Sequence, residues 1–321
     1  MFDDDHSDTE NNNRPTTTKQ SRTFLWSVPR SASTTFLKSI SRTEDGIFWH
    51  EPLTQVIKFG TTKSSRRLAS KEQKNGTGIP KPIKSLGKET SGGGFLFDAN
   101  KVSLAWLKCK LERTPHKEKQ IVFVKELIDG IIDPDGLEDY LEWIPDGYRH
   151  TFLIRHPYRV CASFVKLYKE TKSKKSRTDL KHQIPGRLQC YSKMCNLLEY
   201  IKENHDRKPI IVDTDDLLLN PVGLMQAYCK DISIPYTSSL LHWDAGDEIM
   251  KTKWCVAKQV IRSHQTSKMY TSTFTSTGFE NLRVCLADQI FHRNYCLSLT
   301  DRCPFMSSFM SKALNATSLH L

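Results

Sequence analysis

The chain has 321 residues, with 47 Lys and Arg against 36 Asp and Glu, so its formal net charge at pH 7 is +11. This length predicts one or two domains with a buried core. The absence of a repeat of 20–50 residues argues against a solenoid, and no stretch approaches the roughly 18 apolar residues of a membrane span.

The cysteines and the N-terminal residues indicate the cellular compartment. The nine cysteines include no CxxC pair, and residues 1–21 are polar, without the apolar stretch of a secretory signal. We therefore expect reduced thiols and a cytoplasmic protein. No His or Cys cluster has the spacing of metal ligands, so no metal is expected.

Polar and charged stretches divide the chain. We predict a disordered N-terminal tail over 1–21, an α/β domain over 22–300 and a C-terminal tail over 301–321. Residues 58–94, rich in Lys, Arg, Ser and Gly, read as an insertion in that domain. The basic run 172–182 has no aromatic residue, so we expect no nucleic-acid partner.

Short apolar runs alternate with helical patterns along the chain. The predicted strands cover 23–28, 47–49, 121–124, 151–154 and 209–212. The predicted helices follow the first strand at about 36–40 and then cover 97–111, 137–143, 160–168 and 188–201, and a further one starts at 220–221. This alternation predicts a three-layer α/β fold whose central parallel sheet is flanked by helices.

Polar clusters directly follow four of these strands. They occupy residues 29–35, Lys125 with Glu126, residues 155–163 and residues 213–216. Open parallel sheets bind ligands beyond the carboxyl ends of their strands. The sequence therefore predicts a binding site at this edge.

The first cluster, PRSASTT over 29–35, has the composition of an anion-binding loop. A loop of small residues before a helix offers backbone N–H groups and the positive end of the helix dipole. Arg30 adds a full charge, and the hydroxyl groups belong to Ser31, Ser33, Thr34 and Thr35. The alternative is an ordinary Ser/Thr helix cap. The Walker A pattern is absent, which disfavours ATP hydrolysis.

The cluster after the 151–154 strand reads RHPYRVCASF. Arg155 stands at the end of the strand, where a guanidinium can fork onto a phosphate. Ser163 lies one to two turns into the next helix. Taken singly, Arg155 could form a surface salt bridge and Ser163 could face solvent.

Together these two motifs resemble the sulfotransferases that use 3′-phosphoadenosine 5′-phosphosulfate. Residues 29–35 match that family's PKSGTTW loop, with Arg30 in place of Lys and Ala32 in place of Gly. Residues 155–163 match its RxPxxVxxS motif, including the spacing from Arg to Ser. The resemblance covers roughly residues 22–280.

Smaller elements extend the likeness. VDTDDLLLNP over 212–221 resembles the family's late strand, acidic pair and helix start. HEP at 50–52 and STGF at 276–279 are similar to elements of its sulfotransferase-like branch. An RKG-type element is not evident near 262–268.

The resemblance implies a P-loop-like fold and an in-line transfer of a sulfuryl group from 3′-phosphoadenosine 5′-phosphosulfate to a hydroxyl or amine of an unidentified small-molecule acceptor. It implies that Arg30 stabilises the leaving oxygen and that the first loop holds the 5′-phosphate, while the second motif holds the 3′-phosphate. The implied cofactor-binding residues are Arg30, Ser31, Ala32, Ser33, Thr34, Thr35, Arg155 and Ser163.

A general base must remove the acceptor's proton. Family members carry a His or Glu at a strand end between the two motifs, which points to Glu126, with Lys125 as a neighbouring cation. His50 also follows a strand and is the rival base. A surface carboxylate at Glu126 and a structural histidine at His50 are the alternatives.

Two other functions stay open at this point. The chain could be a sulfotransferase-like protein that binds the nucleotide without turnover, or another P-loop phosphotransferase. The acceptor and the oligomeric state cannot be inferred from the sequence.

Overall fold

The computed structural model describes residues 20–60, 86–113, 120–131, 141–171, 180–264 and 268–279. The predicted tails, apart from residues 20 and 21, lie outside these ranges. Residues 61–85 of the predicted insertion also lie outside, as does most of the helix predicted at 137–143. The domain boundaries therefore stay predictions.

A single eight-stranded sheet forms the centre of the described part of the chain, in the order β3-β4-β8-β2-β5-β1-β6-β7. Its strands are β1 Ser21–Ser27, β2 Gly46–His50, β3 Gly87–Glu89, β4 Phe95–Phe97, β5 Ile121–Leu127, β6 Arg149–Ile154, β7 Ile210–Asp213 and β8 Trp254–Ala257. All neighbouring pairs are parallel except β3 with β4. The predicted α/β fold is confirmed, with an antiparallel strand added at one edge.

Helices cover the sheet. They are α1 Ser33–Ile40, α2 Pro52–Phe59, α3 Leu104–Glu112, α4 Ile128–Ile131, α5 Pro157–Thr171, α6 Leu180–Asn204, α7 Thr214–Leu219, α8 Pro221–Asp231, α9 Glu248–Thr252, α10 Lys258–His264 and α11 Thr271–Thr275. Short 3-10 turns cover Ala99–Lys101, Ser238–Leu240 and Lys268–Tyr270. None of the helices in the described ranges has the length and apolarity needed to cross a bilayer.

The two faces of the sheet carry different helices. Phe36 of α1 meets Tyr228 of α8 edge-on at 5.0 Å, and the Tyr228 hydroxyl lies 2.9 Å from Thr151 on one face of β6. On the other face, α2 meets the Glu126 side chain through the N–H of Leu53. Strands buried on both faces explain why β1 and β5 read as continuous apolar runs.

Strand β5 is longer than the sequence predicts. It continues through Lys125 and Glu126 to Leu127, whereas the apolar run stops at Val124. Both residues are fully buried within the strand. Since successive side chains of a strand point to opposite faces, Lys125 lies on the α1 face and Glu126 on the α2 face.

The helix predicted over 97–111 begins later. Phe95–Phe97 is strand β4, and α3 starts at Leu104. The Ser103 hydroxyl accepts a hydrogen bond from the N–H of Trp106 at 3.1 Å, which caps the first turn. Apolar residues on either side of this cap mimic one continuous helical pattern.

Candidate functional site at the carboxyl edge of the sheet

The loop between β1 and α1 is held in an unusual backbone conformation. Arg30 and Ala32 both adopt left-handed φ angles, 67° and 60°. Ala32 is the residue that caps α1, and its side chain makes no capping hydrogen bond. The first N–H groups of a helix have no partner within it, so this loop presents amide donors at the positive end of α1.

Two hydroxyl groups of the loop are used internally. The Ser31 hydroxyl donates to the Val28 carbonyl at 2.7 Å, and the Thr35 hydroxyl lies 3.0 Å from that of Thr273 on α11. Both side chains are buried. They therefore fix the loop, and the backbone N–H groups of residues 33–35 lie at the start of α1.

The two motifs singled out in the sequence meet in space. Arg30 Nε donates to the Ser163 hydroxyl at 3.0 Å, and Arg155 Nη1 donates to the Arg30 carbonyl at 3.2 Å. Arg30 Nη1 also donates to the carbonyl of Met269 at 3.0 Å. Two guanidinium groups thus converge where the β1 and β6 strands end.

Arg155 is buried, with 7% of its surface exposed, and has a nearby counter-ion. Asp215 Oδ1 lies 3.7 Å from Arg155 Nε and 3.0 Å from Arg159 Nη1. Burial lowers the pKa of Arg155 from its usual range, and Asp215 opposes that shift. The Arg155 carbonyl accepts a hydrogen bond from the Tyr191 hydroxyl at 2.6 Å, which fixes its backbone.

A single hydroxyl joins three strand ends. Thr214, buried at the start of α7, places Oγ1 2.7 Å from the Ser31 carbonyl and 2.8 Å from the Ile154 carbonyl. Its one proton is shared between the two acceptors. Thr214 therefore connects the loops after β1, β6 and β7.

Glu126 occupies the start of α2. Its Oε2 accepts from the N–H of Leu53 at 2.8 Å, and its Oε1 accepts from the N–H of Leu127 at 2.9 Å and from the Thr54 hydroxyl. Burial raises its pKa to about 7, against the effect of these hydrogen bonds. The carboxylate predicted as the base is thus surrounded by donors of its own protein.

Another carboxylate, Glu51, pairs with Lys125. Lys125 Nζ donates to Glu51 Oε1, and His50 Nε2 lies 3.6 Å from the same oxygen. Glu51 has a left-handed φ of 49°, at the sharp corner between β2 and α2. Burial would raise the pKa of Glu51, but Lys125 and then His50 lower it, and the net shift is downward.

Aromatic rings enclose His50. It stacks on Trp254 at 5.2 Å, and Tyr270 meets it edge-on at 5.8 Å. Phe274 and His264 extend the cluster around Tyr270. Burial lowers the pKa of His50 to about 4, so the ring is neutral at pH 7.

Segment 268–275 closes this side of the site through its contacts with α1. The buried ammonium of Lys38 donates to the carbonyls of Asp244 at 2.9 Å and Thr273 at 3.4 Å, and lies 5.7 Å from the centre of the Phe274 ring. Burial lowers the pKa of Lys38 to about 8. This contact, together with the Thr35–Thr273 pair, holds α11 against the loop over 29–35.

All the residues predicted for the site lie at the same edge of the sheet. Three further residues of the site were not predicted from the sequence. Glu51, Thr214 and Asp215 belong to the quoted HEP and DTDD elements, of which only His50 was considered for a role. The sequence feature that could have indicated a role for Glu51 is its position between a predicted strand and Pro52, which starts a helix. Among the described residues, no group of three or more His, Cys, Asp or Glu side chains is gathered as a metal centre.

Comparison with curated proteins gives distant relatives. No family model matches the chain. The branched-chain-amino-acid aminotransferase-like protein 2 of Arabidopsis thaliana is 25% identical over 268 residues, which cover 81% of this chain and 39% of that protein. Its counterpart, protein 1 of the same plant, is 25% identical over 264 residues, with coverages of 80% and 39%. The chain thus spans about two fifths of the length of the curated relatives it matches.

Two solved structures are also similar at low identity. The sulfotransferase domain from the Synechococcus PCC 7002 olefin synthase has a TM-score of 0.42 and 15% identity, covering 87% of this chain and 96% of that one. The sulfotransferase domain from the curacin biosynthetic pathway has the same TM-score and identity, with coverages of 70% and 77%. These likenesses are weak, and the function proposed below rests on the site itself.

Proposed function

We propose that the chain is a sulfotransferase that moves a sulfuryl group from 3′-phosphoadenosine 5′-phosphosulfate to a hydroxyl or amine of a small acceptor. The observation that carries this proposal is the meeting of the two motifs, through the Arg30–Ser163 and Arg155–Arg30 contacts. A nucleotide with phosphates at its 3′ and 5′ positions needs two anion sites, and the two guanidinium groups and the amides of α1 supply them.

The residues fit this donor in two ways. Ala32 and Arg30 turn the loop so that the α1 amides face the anion, and Arg155 brings a buried cation that lies beside the carboxylate of Asp215. In the transfer, the acceptor oxygen or nitrogen forms a bond to sulfur, and the bond from sulfur to the bridging oxygen breaks. Arg30 stabilises the charge that develops on that oxygen.

We assign the acceptor's proton to Glu51, with Glu126 as the alternative base. Both oxygens of Glu126 already accept hydrogen bonds from the start of α2 and from β5. In the described part of the chain, the polar contacts of the Glu51 carboxylate all fall on Oε1, which leaves Oε2 for the acceptor. Lys125 keeps Glu51 ionised before the proton arrives.

Thermal unfolding with added nucleotides tests the donor class. A ligand that binds the native state raises its stability by RT ln(1 + [L]/Kd), about 2.7 kcal/mol at one hundred times Kd. Adenosine 3′,5′-bisphosphate should raise Tm, whereas ATP with Mg²⁺ and AMP should raise it far less. Arg155→Ala should abolish the shift.

Arg149→Ala is the matched control, because Arg149 stands at the opposite end of β6 and pairs with Asp206 at 3.1 Å. It should keep the full shift with the bisphosphate. Stronger stabilisation by ATP with Mg²⁺ would instead favour a phosphotransferase. Binding of the bisphosphate without transfer to any acceptor would favour a non-catalytic binder.

A further inference from the structure

Gln55 of α2 links the sheet to the ring of His50. Its Oε1 accepts a hydrogen bond from the N–H of Ala257 at 2.6 Å. Its Nε2 lies 3.1 Å from His50 Nδ1 and also donates to the His50 carbonyl. The side chain is buried, with 1% exposed, and all its hydrogen-bonding atoms are used.

These contacts decide where the protons are. A backbone N–H can only donate, so the atom of Gln55 that faces Ala257 must be the oxygen. The nitrogen then faces His50 and donates to Nδ1, which makes Nδ1 an acceptor. In a neutral imidazole, the other nitrogen carries the proton. The His50 N–H is therefore on Nε2, the atom that lies 3.6 Å from Glu51 Oε1.

We infer that Gln55 is a positioning residue that fixes His50 in its Nε2–H tautomer and so directs an N–H dipole at the Glu51 carboxylate. Together with Lys125, this dipole holds Oε1 of Glu51 against His50 and Lys125, so that Oε2 of Glu51 faces the acceptor. The tautomer follows from the contacts alone, and its effect on the reaction rests on the proposed function of Glu51.

The other groups around His50 leave this assignment intact. Glu51 and Lys125 are the charged groups beside it, from the corner after β2 and from β5. The rings of Trp254 and Tyr270 cover its faces and edge. Within the described residues, His50 Nε2 is buried and makes no hydrogen bond, so Glu51 Oε1 at 3.6 Å is reached by its N–H dipole rather than by a hydrogen bond.

Nitrogen-15 NMR of histidine-labelled protein tests the tautomer, with His50→Asn to identify the signals. We expect the wild-type His50 to be neutral, protonated on Nε2 and without titration between pH 5 and 8. Gln55→Leu should lose this fixed pattern, giving Nδ1–H or mixed signals. Gln259→Leu is the matched control, since Gln259 Oε1 also accepts a backbone N–H, that of Ala99, and it should leave His50 unchanged. A wild-type His50 protonated on Nδ1, or one that titrates near pH 6.5, would overturn the inference.

The rate of transfer and its pH profile test the positioning role. Misplacement of a reacting group by about 1 Å can cost up to about 100-fold in rate. Gln55→Leu should lower kcat by 10-fold to 100-fold and change the acidic limb of the profile, while the KM for the donor stays within about twofold. An altered tautomer with an unchanged kcat would refute the positioning role. A wild-type chain that shows the Nε2–H signal but transfers no sulfuryl group would refute the proposed function and support the tautomer.

Discussion

Glu51 and Glu126 are two buried carboxylates whose surroundings act on them in opposite directions. The ammonium of Lys125 holds the pKa of Glu51 below its usual range, whereas burial raises the pKa of Glu126 to about 7. Glu51 is therefore ionised at pH 7, and Glu126 is near half protonation. The sequence analysis favoured Glu126 over His50 as the base and gave no role to Glu51.

Replacement of each carboxylate by its amide separates their roles. General bases contribute about 100-fold to 10,000-fold to a rate. We expect Glu51→Gln to lower kcat by at least 100-fold, and Glu126→Gln to keep it within about tenfold. A retained Tm shift with the bisphosphate shows that each variant folds. Full activity in Glu51→Gln with loss in Glu126→Gln would instead favour the base predicted from the sequence.

Ala32 adopts a conformation that suits glycine better. A left-handed backbone costs an L-residue roughly 1–2 kcal/mol, and glycine has no such cost but loses more freedom on folding. Ala32→Gly should therefore raise the free energy of unfolding by 0 to about 1 kcal/mol, measured in denaturant. Ala227→Gly within α8 is the control and should lower it by about 1 kcal/mol. A loss of stability in Ala32→Gly would contradict the strain inferred at this corner.

His150 makes the protein sensitive to acid. It is fully buried on β6, accepts a hydrogen bond from Trp26 Nε1 at 3.0 Å and stands near His205 and Asp206. Burial lowers its pKa to about 3 from 6.5. The unfolded chain binds this proton first, so stability is lost as the pH falls from 6.5 towards 3.

His150→Asn removes this dependence. Between pH 7 and pH 5 the free energy of unfolding of the wild type should fall by about 2 kcal/mol more than that of the variant. Chemical denaturation at the two pH values measures the difference. Equal losses in both proteins would show that His150 titrates normally in the fold.

At the scale of elements, Thr214 connects the ends of β1, β6 and β7 at the site. Thr214→Val keeps the shape of the side chain and removes the shared proton. We expect a loss of about 1–3 kcal/mol of stability, because two buried carbonyls lose their donor. Since the Ser31 carbonyl belongs to the anion loop, affinity for adenosine 3′,5′-bisphosphate should also fall, as measured by calorimetry.

Thr151→Val provides the comparison for that variant. Thr151 is a fully buried threonine whose hydroxyl donates to the Phe24 carbonyl at 3.1 Å, within the β1–β6 ladder. The Thr151→Val variant should lose a similar free energy of unfolding and keep the nucleotide affinity unchanged. Equal losses of affinity in both variants would show that Thr214 acts only on global stability.

The strands that carry the site could be predicted from the sequence, because each is a short apolar run followed by a polar cluster. Strands β1, β5, β6 and β7 were predicted in this way, and β2 was predicted from its apolar run. Strands β3, β4 and β8 were not, since β3 is mostly polar, β4 adjoins an apolar pattern of helical spacing and β8 lies where the periodicity fades. The orientation of Glu126 could not be predicted, because it depends on the strand continuing past the apolar run.

At the scale of the whole molecule, limited proteolysis tests the predicted division of the chain into two tails, an insertion and one domain. With the bisphosphate bound, we expect the first cleavages within 1–19, 61–85 and 301–321, where few apolar residues are available to form a core. The nicked protein should keep its Tm shift. Early cleavage within β5 or β6 would contradict a single domain over 22–300.

The order of the strands has a consequence for how the protein is made. Strand β8 lies between β4 and β2, so within the described residues the β3–β4 hairpin pairs with the rest of the sheet through residues 254–257 alone. On the ribosome, this hairpin must wait for more than 150 residues of later chain before it has a partner. Pairings between such distant segments form slowly, and the edges of the strands stay exposed until they form. We therefore expect this chain to need chaperones most during its synthesis, before the sheet is complete.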